Sequence, residues 1–143
     1  MITEETYTLT NGVEIPKLAL GTWMIPDDEV AAAVRAAIDL GYRHIDTAQA
    51  YQNERGVGEG VRTSGVGRDE LFITTKLAAE AKTYDEAAAA IEDSLVALGV
   101  EVIDLMLIHS PQPWRHFGGD DRFAEGNRAA WRALEDAGIR NET

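Results

Sequence analysis

The stretch that decides the fold is "GYRHIDTAQAY", residues 41–51. It carries an apolar, strand-like run onto an acidic residue, Asp46, and places Tyr51 five residues later. An acid at the end of a strand can be no more than a solvated turn residue, so the stretch alone does not establish a role. Two later apolar runs also end on ionisable residues, Lys76 and His109, and these give the stretch its meaning.

Strand-like and helix-like segments alternate along the whole chain, which is typical of a parallel sheet covered by helices. Four strands are predicted, in the runs "KLALG", "YRHID", "ELFITTK" and "VIDLMLIH". We predict one α/β domain over residues 1–143, with a β-hairpin at about 6–16 and four βα units at about 17–138. Four such units make half of an eight-stranded barrel or a small doubly wound sheet, and their spacing does not choose between the two.

Two local patterns lead to specific expectations about the first turn and the second helix. Asn11 and Gly12 predict a two-residue type I′ turn in the hairpin, because both are residues that tolerate positive φ. The helix after the second strand contains Gly56, Gly58 and Gly60. Each glycine costs up to about 1 kcal/mol relative to alanine in a helix, so we expect this helix to be the softest element.

The two later helices have clearer signals. Thr83 followed by Glu86 predicts a capping box at the start of the third helix. In the last helix, Ala130, Trp131 and Leu134 predict the face that packs on the sheet. Both helices therefore fit a βα repeat.

Composition restricts the kinds of partner. There are 25 acidic against 13 basic residues, for a formal charge of −12, which disfavours nucleic acid and anionic membrane surfaces as partners. The sequence has no cysteine, hence no disulfide framework or thiolate metal site. No apolar run approaches the roughly 18 residues that span a membrane, and the N-terminus lacks the pattern of a signal peptide. We expect a cytoplasmic protein.

The ionisable strand ends are expected to meet. The carboxyl ends of parallel strands lie side by side, so Asp46, Lys76 and His109 share one edge of the sheet, with Tyr51 in the loop beside them. Taken singly, each side chain has an ordinary structural explanation as a capping acid, a solvated lysine, a hydrogen-bonded histidine or a packed tyrosine. That explanation is much weaker for all four together.

The four side chains make a coherent proton donor. A phenol has a reference pKa near 10, and a neighbouring ammonium group stabilises its phenolate by about 1.4 kcal/mol for each pKa unit. Lys76 would make Tyr51 a usable acid, Asp46 would keep Lys76 charged, and a neutral His109 would orient a carbonyl oxygen. Such a site protonates oxygen while another species attacks carbon. No side chain supplies hydride, so a cofactor is implied.

The runs "LALGTW", "GYRHIDTAQAYQNE", "DELFITTK" and "DLMLIHSPQP" resemble, in order and spacing, the signatures of the aldo-keto reductase superfamily. The resemblance implies a TIM barrel closed at its bottom by the hairpin, and NADPH-dependent reduction of aldehydes or ketones with Tyr51 as the general acid. It places the catalytic tetrad on Asp46, Tyr51, Lys76 and His109. The cofactor would contact Gly21, Thr22, Trp23 and Asp46. The carbonyl substrate would contact Trp23, Tyr51, His109 and Trp114.

Length separates this chain from that family, whose members are about twice as long. The resemblance therefore implies an N-terminal half-barrel, with the residues that hold the cofactor's pyrophosphate in the other half. An open half-barrel is expected to expose two strand edges, and the runs "LALG", "FITT" and "LMLI" are expected to face water. The alternative hypothesis is a non-catalytic half-barrel, truncated or designed, that self-associates. Its partners would be a second copy or a complementing C-terminal half.

Overall fold

A computed structural model describes residues 1–139 and shows a two-stranded hairpin followed by a four-stranded parallel sheet. The hairpin strands are β1 (Thr6–Thr8) and β2 (Glu14–Pro16). The sheet strands are β3 (Leu20–Gly21), β4 (His44–Asp46), β5 (Phe72–Leu77) and β6 (Leu105–Ile108). The helices are α1 (Val30–Asp39), α2 (Glu54–Arg62), α3 (Tyr84–Leu98) and α4 (Ala124–Ile139), one after each sheet strand.

The strand order β3-β4-β5-β6 follows the chain without reversal. A doubly wound sheet has a point at which its strand order reverses, and the described residues contain no such point. The predicted α/β architecture, with four βα units behind a hairpin, is therefore confirmed in its barrel form.

The hydrophobic core lies between the sheet and the helices. Ile45 pairs with Ile73 in register, and both are fully buried against α1 and α2. Because side chains alternate along a strand, the next pair in register, Asp46 and Thr74, points to the opposite face. That opposite face is the one that would line a closed barrel, and it carries Asp46, Thr74 and Lys76.

Helix α2 is better packed than its composition predicts. Six of its nine residues are buried, including all three glycines. A Cβ at Gly58 would overlap the backbone carbonyl of Leu98, and one at Gly60 would lie 2.7 Å from Cβ of Val34. The glycines therefore allow α2 to approach α1 and α3 closely, which a weak-helix interpretation of the sequence does not anticipate.

The predicted type I′ turn in the hairpin is wrong. Gly12 has a φ of 85°, but Asn11 is not among the residues with positive φ. The N–H of Gly12 donates to the carbonyl of Leu9, and the N–H of Leu9 donates to Val13. The connection is thus a three-residue loop with glycine in the left-handed position, and only one positive φ is needed.

The predicted inward face of α4 is also wrong at one residue. Ala130 and Ala133 are 0% and 1% exposed, whereas Trp131 is 54% exposed and its Nε1 donates to Glu135 at 2.9 Å. The buried face of α4 is formed by small side chains, which allow the helix to lie close to α3, so the large indole lies to one side.

The expectation that the run "FITT" faces water is wrong as well, because residues 72–75 are all at most 7% exposed. Phe72 packs edge-on against His44, whose Nδ1 lies 3.2 Å from the carbonyl of Pro16, so the hairpin covers this end of the sheet. In "LMLI", Leu107 is 40% exposed. Within residues 1–139, β3 and β6 each have a strand neighbour on one side only.

Among the same residues, no helix combines the length and the apolar character that a membrane span requires.

Candidate active site

The strand ends bring the four predicted tetrad residues to one edge of the sheet. Asp46 is the last residue of β4, Lys76 is the next to last of β5, and His109 directly follows β6. The N–H of His109 donates to the carbonyl of Leu77 at 3.1 Å, which continues the β5–β6 ladder by one residue. Tyr51 ends a 3-10 turn, Gln49–Tyr51, in the loop after β4.

Lys76 lies at the centre of the site. Its Nζ forms an ion pair with Oδ1 of Asp46, donates to the carbonyl of Thr47 at 2.9 Å, and lies 3.4 Å from Oη of Tyr51. The Lys76 side chain is 14% exposed, so this ammonium group depends on Asp46 for its counter-charge. Nζ is also 5.0 Å from the centre of the Tyr51 ring. A positive charge therefore lies beside the phenol.

His109 completes the group from the other side of Tyr51. The two rings meet edge to face, with their centres 5.7 Å apart. Burial lowers the pKa of His109, and the Lys76 ammonium lowers it further, so the ring is neutral at neutral pH. Its Nδ1 is buried without a hydrogen-bond partner among residues 1–139. A neutral imidazole of this kind can give a hydrogen bond to an oxygen without taking its proton.

A cleft of about 400 Å³ opens above these rings. Its lining residues are Trp23, Ala50, Tyr51, His109 and Trp114. The indole of Trp114 packs edge-on against His109 at 5.4 Å, and Phe117 lies 5.9 Å beyond it. The sequence interpretation named both tryptophans but missed Ala50 and Phe117. In the described part of the chain, no cluster of His, Asp or Glu could hold a metal ion.

The predicted cofactor residues at the end of β3 and directly after it have different environments. A side chain at Gly21 would meet no atom within 4 Å, and Trp23 is 70% exposed, so both border open space. Thr22 is fully buried, and its N–H and hydroxyl both donate to the carbonyl of Asp46, at 3.0 and 3.2 Å. Asn53 in turn donates to the carbonyl of Thr22 at 2.8 Å. Thr22 thus supports Asp46, while its two neighbours are accessible.

A buried polar network behind the site was not predicted. The carboxyl of Glu54 accepts hydrogen bonds from Thr75 at 2.5 Å and from Ser94 at 3.0 Å, and Ser94 also accepts one from Gln49 at 2.8 Å. Burial raises the pKa of Glu54. Glu54 and Gln49 flank Tyr51 in the sequence, but polar residues next to a loop are usually solvated, so nothing in the local pattern indicates that Glu54 is buried and Gln49 half-buried.

Comparison with known proteins gives a consistent result. Residues 17–138 match the model of the aldo/keto reductase family. The chain is 49% identical over 129 residues to the 9,11-endoperoxide prostaglandin H2 reductase of Trypanosoma cruzi, and 44% identical over 133 residues to the glyoxal reductase of Bacillus subtilis. These alignments cover 90% and 92% of this chain, but 42% and 44% of the two relatives. The chain thus spans about half the length of the curated relatives that it matches.

A solved structure agrees with these alignments. An aldo-keto reductase of Bombyx mori, in complex with NADP, superposes with a TM-score of 0.78 at 38% identity. The superposition covers 93% of this chain and 46% of that one. The parallel sheet and N-terminal hairpin are thus part of a TIM barrel, and this chain belongs to the aldo/keto reductase family of oxidoreductases.

Proposed function

We propose that this chain carries the catalytic tetrad of an NADPH-dependent oxidoreductase that reduces aldehydes or ketones to alcohols. The observation that carries the proposal is the position of Lys76, whose Nζ contacts both the Asp46 carboxylate and the Tyr51 hydroxyl. A carboxylate that pairs with an ammonium, and an ammonium that contacts a phenol, together make the phenol a proton donor. Family membership and an NADP-bound relative support the same reaction class.

In the proposed reaction Tyr51 is the general acid. Its Oη donates a proton to the carbonyl oxygen of the substrate as that oxygen gains negative charge. The Lys76 ammonium stabilises the phenolate that remains, and Asp46 holds the ammonium in place. NADPH, when bound, supplies the hydride that adds to the carbonyl carbon. One hydride and one proton convert the carbonyl group to an alcohol, and solvent later returns a proton to Tyr51.

His109 and the aromatic walls would hold the substrate. A neutral His109 donates a hydrogen bond to the carbonyl oxygen and so directs that oxygen toward Tyr51. Trp23 and Trp114 both line the cleft and are exposed. Such walls favour carbonyl compounds with an apolar or aromatic substituent.

The residues of this chain fit one end of the cofactor. Gly21 and Trp23 border open space beside Asp46, which suits the nicotinamide ribose. The Lys76 ammonium is already paired with Asp46, so it is not available to a phosphate group. We propose that the cations for the phosphates come from a complementing C-terminal half-barrel, in keeping with the greater length of the relatives. The lack of cysteine fits the cytoplasm as the proposed compartment.

The test uses a chimaera in which residues 1–139 replace the corresponding part of the Bacillus subtilis glyoxal reductase. NADPH oxidation is followed with aromatic aldehydes, and NADPH binding by quenching of tryptophan fluorescence. Tyr51→Phe should lower kcat by about 10²-fold or more and leave NADPH binding nearly unchanged, because the hydroxyl acts in the transition state. Tyr42→Phe is the matched control. Most of the wild-type rate surviving in the Tyr51 variant would refute its role as the acid.

A second candidate is a non-catalytic half-barrel that self-associates. It is favoured by the unpaired sides of β3 and β6 and by the 40% exposure of Leu107. Titration of the 143-residue chain with NADPH tests this candidate, because quenched tryptophan fluorescence would reveal a cofactor contact that a non-catalytic half-barrel lacks.

A further inference from the structure

The side chain of Gln49 ties the turn that carries Tyr51 to its two neighbouring elements. Its Oε1 accepts the N–H of Ala78 at 2.7 Å, just after β5. Its Nε2 donates to the carbonyl of Ala90 at 2.6 Å and to Oγ of Ser94 at 2.8 Å, both in α3. Because the N–H of Ala78 can only donate, the orientation of this amide is determined. Both of its amide hydrogens and its oxygen are satisfied.

Glu54 orients the hydroxyl of Ser94 so that its oxygen accepts the hydrogen bond from Gln49. Ser94 lies within 3.0 and 3.2 Å of the two carboxyl oxygens of Glu54 and is fully buried. A serine hydroxyl has one hydrogen, so donating it to Glu54 leaves the oxygen lone pairs for Gln49. The same carboxyl accepts the hydroxyl of Thr75, which directly precedes Lys76 in β5. Gln49, Ser94, Glu54 and Thr75 thus form a brace, a hydrogen-bond network that joins the turn, α3, α2 and β5. Gln49 is half-buried in it and the other three residues are buried.

The brace compensates for the long contact between Tyr51 and Lys76. Between Tyr51 and Lys76 the direct contact is 3.4 Å long, which is too long to hold a phenol in one place. Gln49 lies two residues before Tyr51, and Ala78 lies two residues after Lys76, so one short hydrogen bond connects the two backbones. On the proposed function, we infer that Gln49 is a positioning residue that holds Tyr51 beside Lys76 and His109, with Ser94 and Glu54 bracing it.

The test reads the geometry directly in the 143-residue chain by NMR. Nuclear Overhauser cross-peaks between the rings of Tyr51 and His109 report the position of Tyr51, and those between His109 and Trp114 are an internal reference. Gln49→Leu keeps the approximate size of the side chain but removes its three hydrogen bonds. It should lose the Tyr51–His109 cross-peaks and retain the His109–Trp114 cross-peaks.

Gln52→Leu is the matched control, because it makes the same chemical change at an exposed residue next to Tyr51. It should leave both sets of cross-peaks as in the wild type. A merely stabilising role for Gln49 would lower the unfolding midpoint without this selective loss. A folded Gln49→Leu variant with unchanged Tyr51–His109 cross-peaks would overturn the inference.

If Gln49→Leu does not fold, Ser94→Ala tests the same inference. This variant removes one of the three hydrogen bonds of Gln49 together with the link to Glu54, and it should weaken the Tyr51–His109 cross-peaks. Unchanged intensities would overturn the inference. Because these signals need no turnover, they can persist in a protein whose Tyr51→Phe variant still reduces aldehydes. That result would refute the proposed function and leave the positioning role intact.

Discussion

Lys76 determines the electrostatics of the site because its ammonium is nearly buried and acts on three neighbours. It is paired with Asp46, lies beside the Tyr51 phenol, and lowers the pKa of His109. Burial is the larger cause of the His109 shift, and the Lys76 charge adds to it, whereas the Asp46 charge opposes it. The protonation state of the histidine is therefore linked to that of a lysine on the neighbouring strand.

Replacing Lys76 with methionine should raise the pKa of His109. The change removes one of the two causes that lower this pKa and leaves the Asp46 charge, which raises it. NMR titration of the His109 ring in wild type and Lys76→Met measures the effect, and Lys17→Met, a change at a distant lysine in an ion pair with Glu5, is the control. A His109 pKa that falls or stays constant in Lys76→Met would contradict the assignment.

Glu54 should make the folded state less stable as the pH rises. Burial is the first cause that raises its pKa, and the charge of Asp93 adds to it, against hydrogen bonds from Thr75 and Ser94. A carboxyl with a raised folded pKa contributes stability that is fully present below its unfolded value, 4.5, and is lost as the pH rises through the folded pKa. This loss should be absent in Glu54→Gln.

Urea unfolding of wild type and Glu54→Gln at a series of pH values measures that difference. Above pH 4.5 the free energy of unfolding of the wild type should fall relative to that of Glu54→Gln. Glu59→Gln is the matched control, since Glu59 lies in the same helix and is 48% exposed. A constant gap for Glu54→Gln across this range would show that the carboxyl has no raised pKa in the folded state.

At the scale of single elements, α2 shows how tertiary packing overrides helix propensity. Three glycines predict a weak helix, yet each removes a side chain that would overlap a neighbour: the backbone of Asp27 at Gly56, of Leu98 at Gly58 and of Ala31 at Gly60. Gly58→Ala should destabilise the chain by about 1–3 kcal/mol, because the added methyl has no space beside the Leu98 carbonyl.

The comparison for Gly58→Ala is Gly138→Ala in α4, where an added Cβ meets no atom within 4 Å. That substitution should stabilise the chain by up to about 1 kcal/mol through helix propensity alone. Chemical denaturation measures both variants. Equal effects of the two substitutions would show that α2 does not pack on α3 as described.

The sequence predicted correctly those features that depend on residues close together in the chain or on neighbouring strand ends. The capping box of α3 forms as expected: the N–H of Glu86 donates to Oγ1 of Thr83 at 3.3 Å, and its carboxylate accepts the N–H of Thr83 at 3.2 Å. The ionisable strand ends could be paired because adjacent parallel strands end together. The hydrogen bond from Gln49 to Ser94 joins residues 45 positions apart, and no periodicity or motif indicates it.

At the scale of the whole molecule, the spacing of the strands predicted four βα units but not their order, because that spacing is the same in a singly wound and a doubly wound sheet. The motifs shared with the aldo-keto reductases implied the barrel order, and the strand order of the structure confirms it. The sequence also did not predict which strand side chains are exposed to solvent. Phe72 lies in a run like that of Leu107, yet Phe72 packs against His44 and is 7% exposed, whereas Leu107 on the outer strand is 40% exposed.

The 143-residue chain should associate with a second copy through its outer strands. The sides of β3 and β6 that face away from the sheet lack a strand neighbour among residues 1–139, and Ile108 and Trp131 line a groove of about 770 Å³ beside β6. Such edges are templates for pairing. Covering even ~300 Å² of apolar surface is worth ~7 kcal/mol, which is comparable with the stability of a domain.

Sedimentation equilibrium over a wide concentration range measures this association. Leu107→Lys should shift the equilibrium toward the 15.6 kDa monomer, because a charge on an edge strand opposes pairing. The matched control is Leu40→Lys, at a leucine that is 76% exposed and lies at the end of α1 rather than in an outer strand, and it should associate as the wild type does. A wild-type chain that stays monomeric at all concentrations and unfolds cooperatively would contradict the prediction. In that case the residual exposure of Leu107 and Trp131 would cost less than the loss of freedom on pairing, and the four βα units would be stable without a partner.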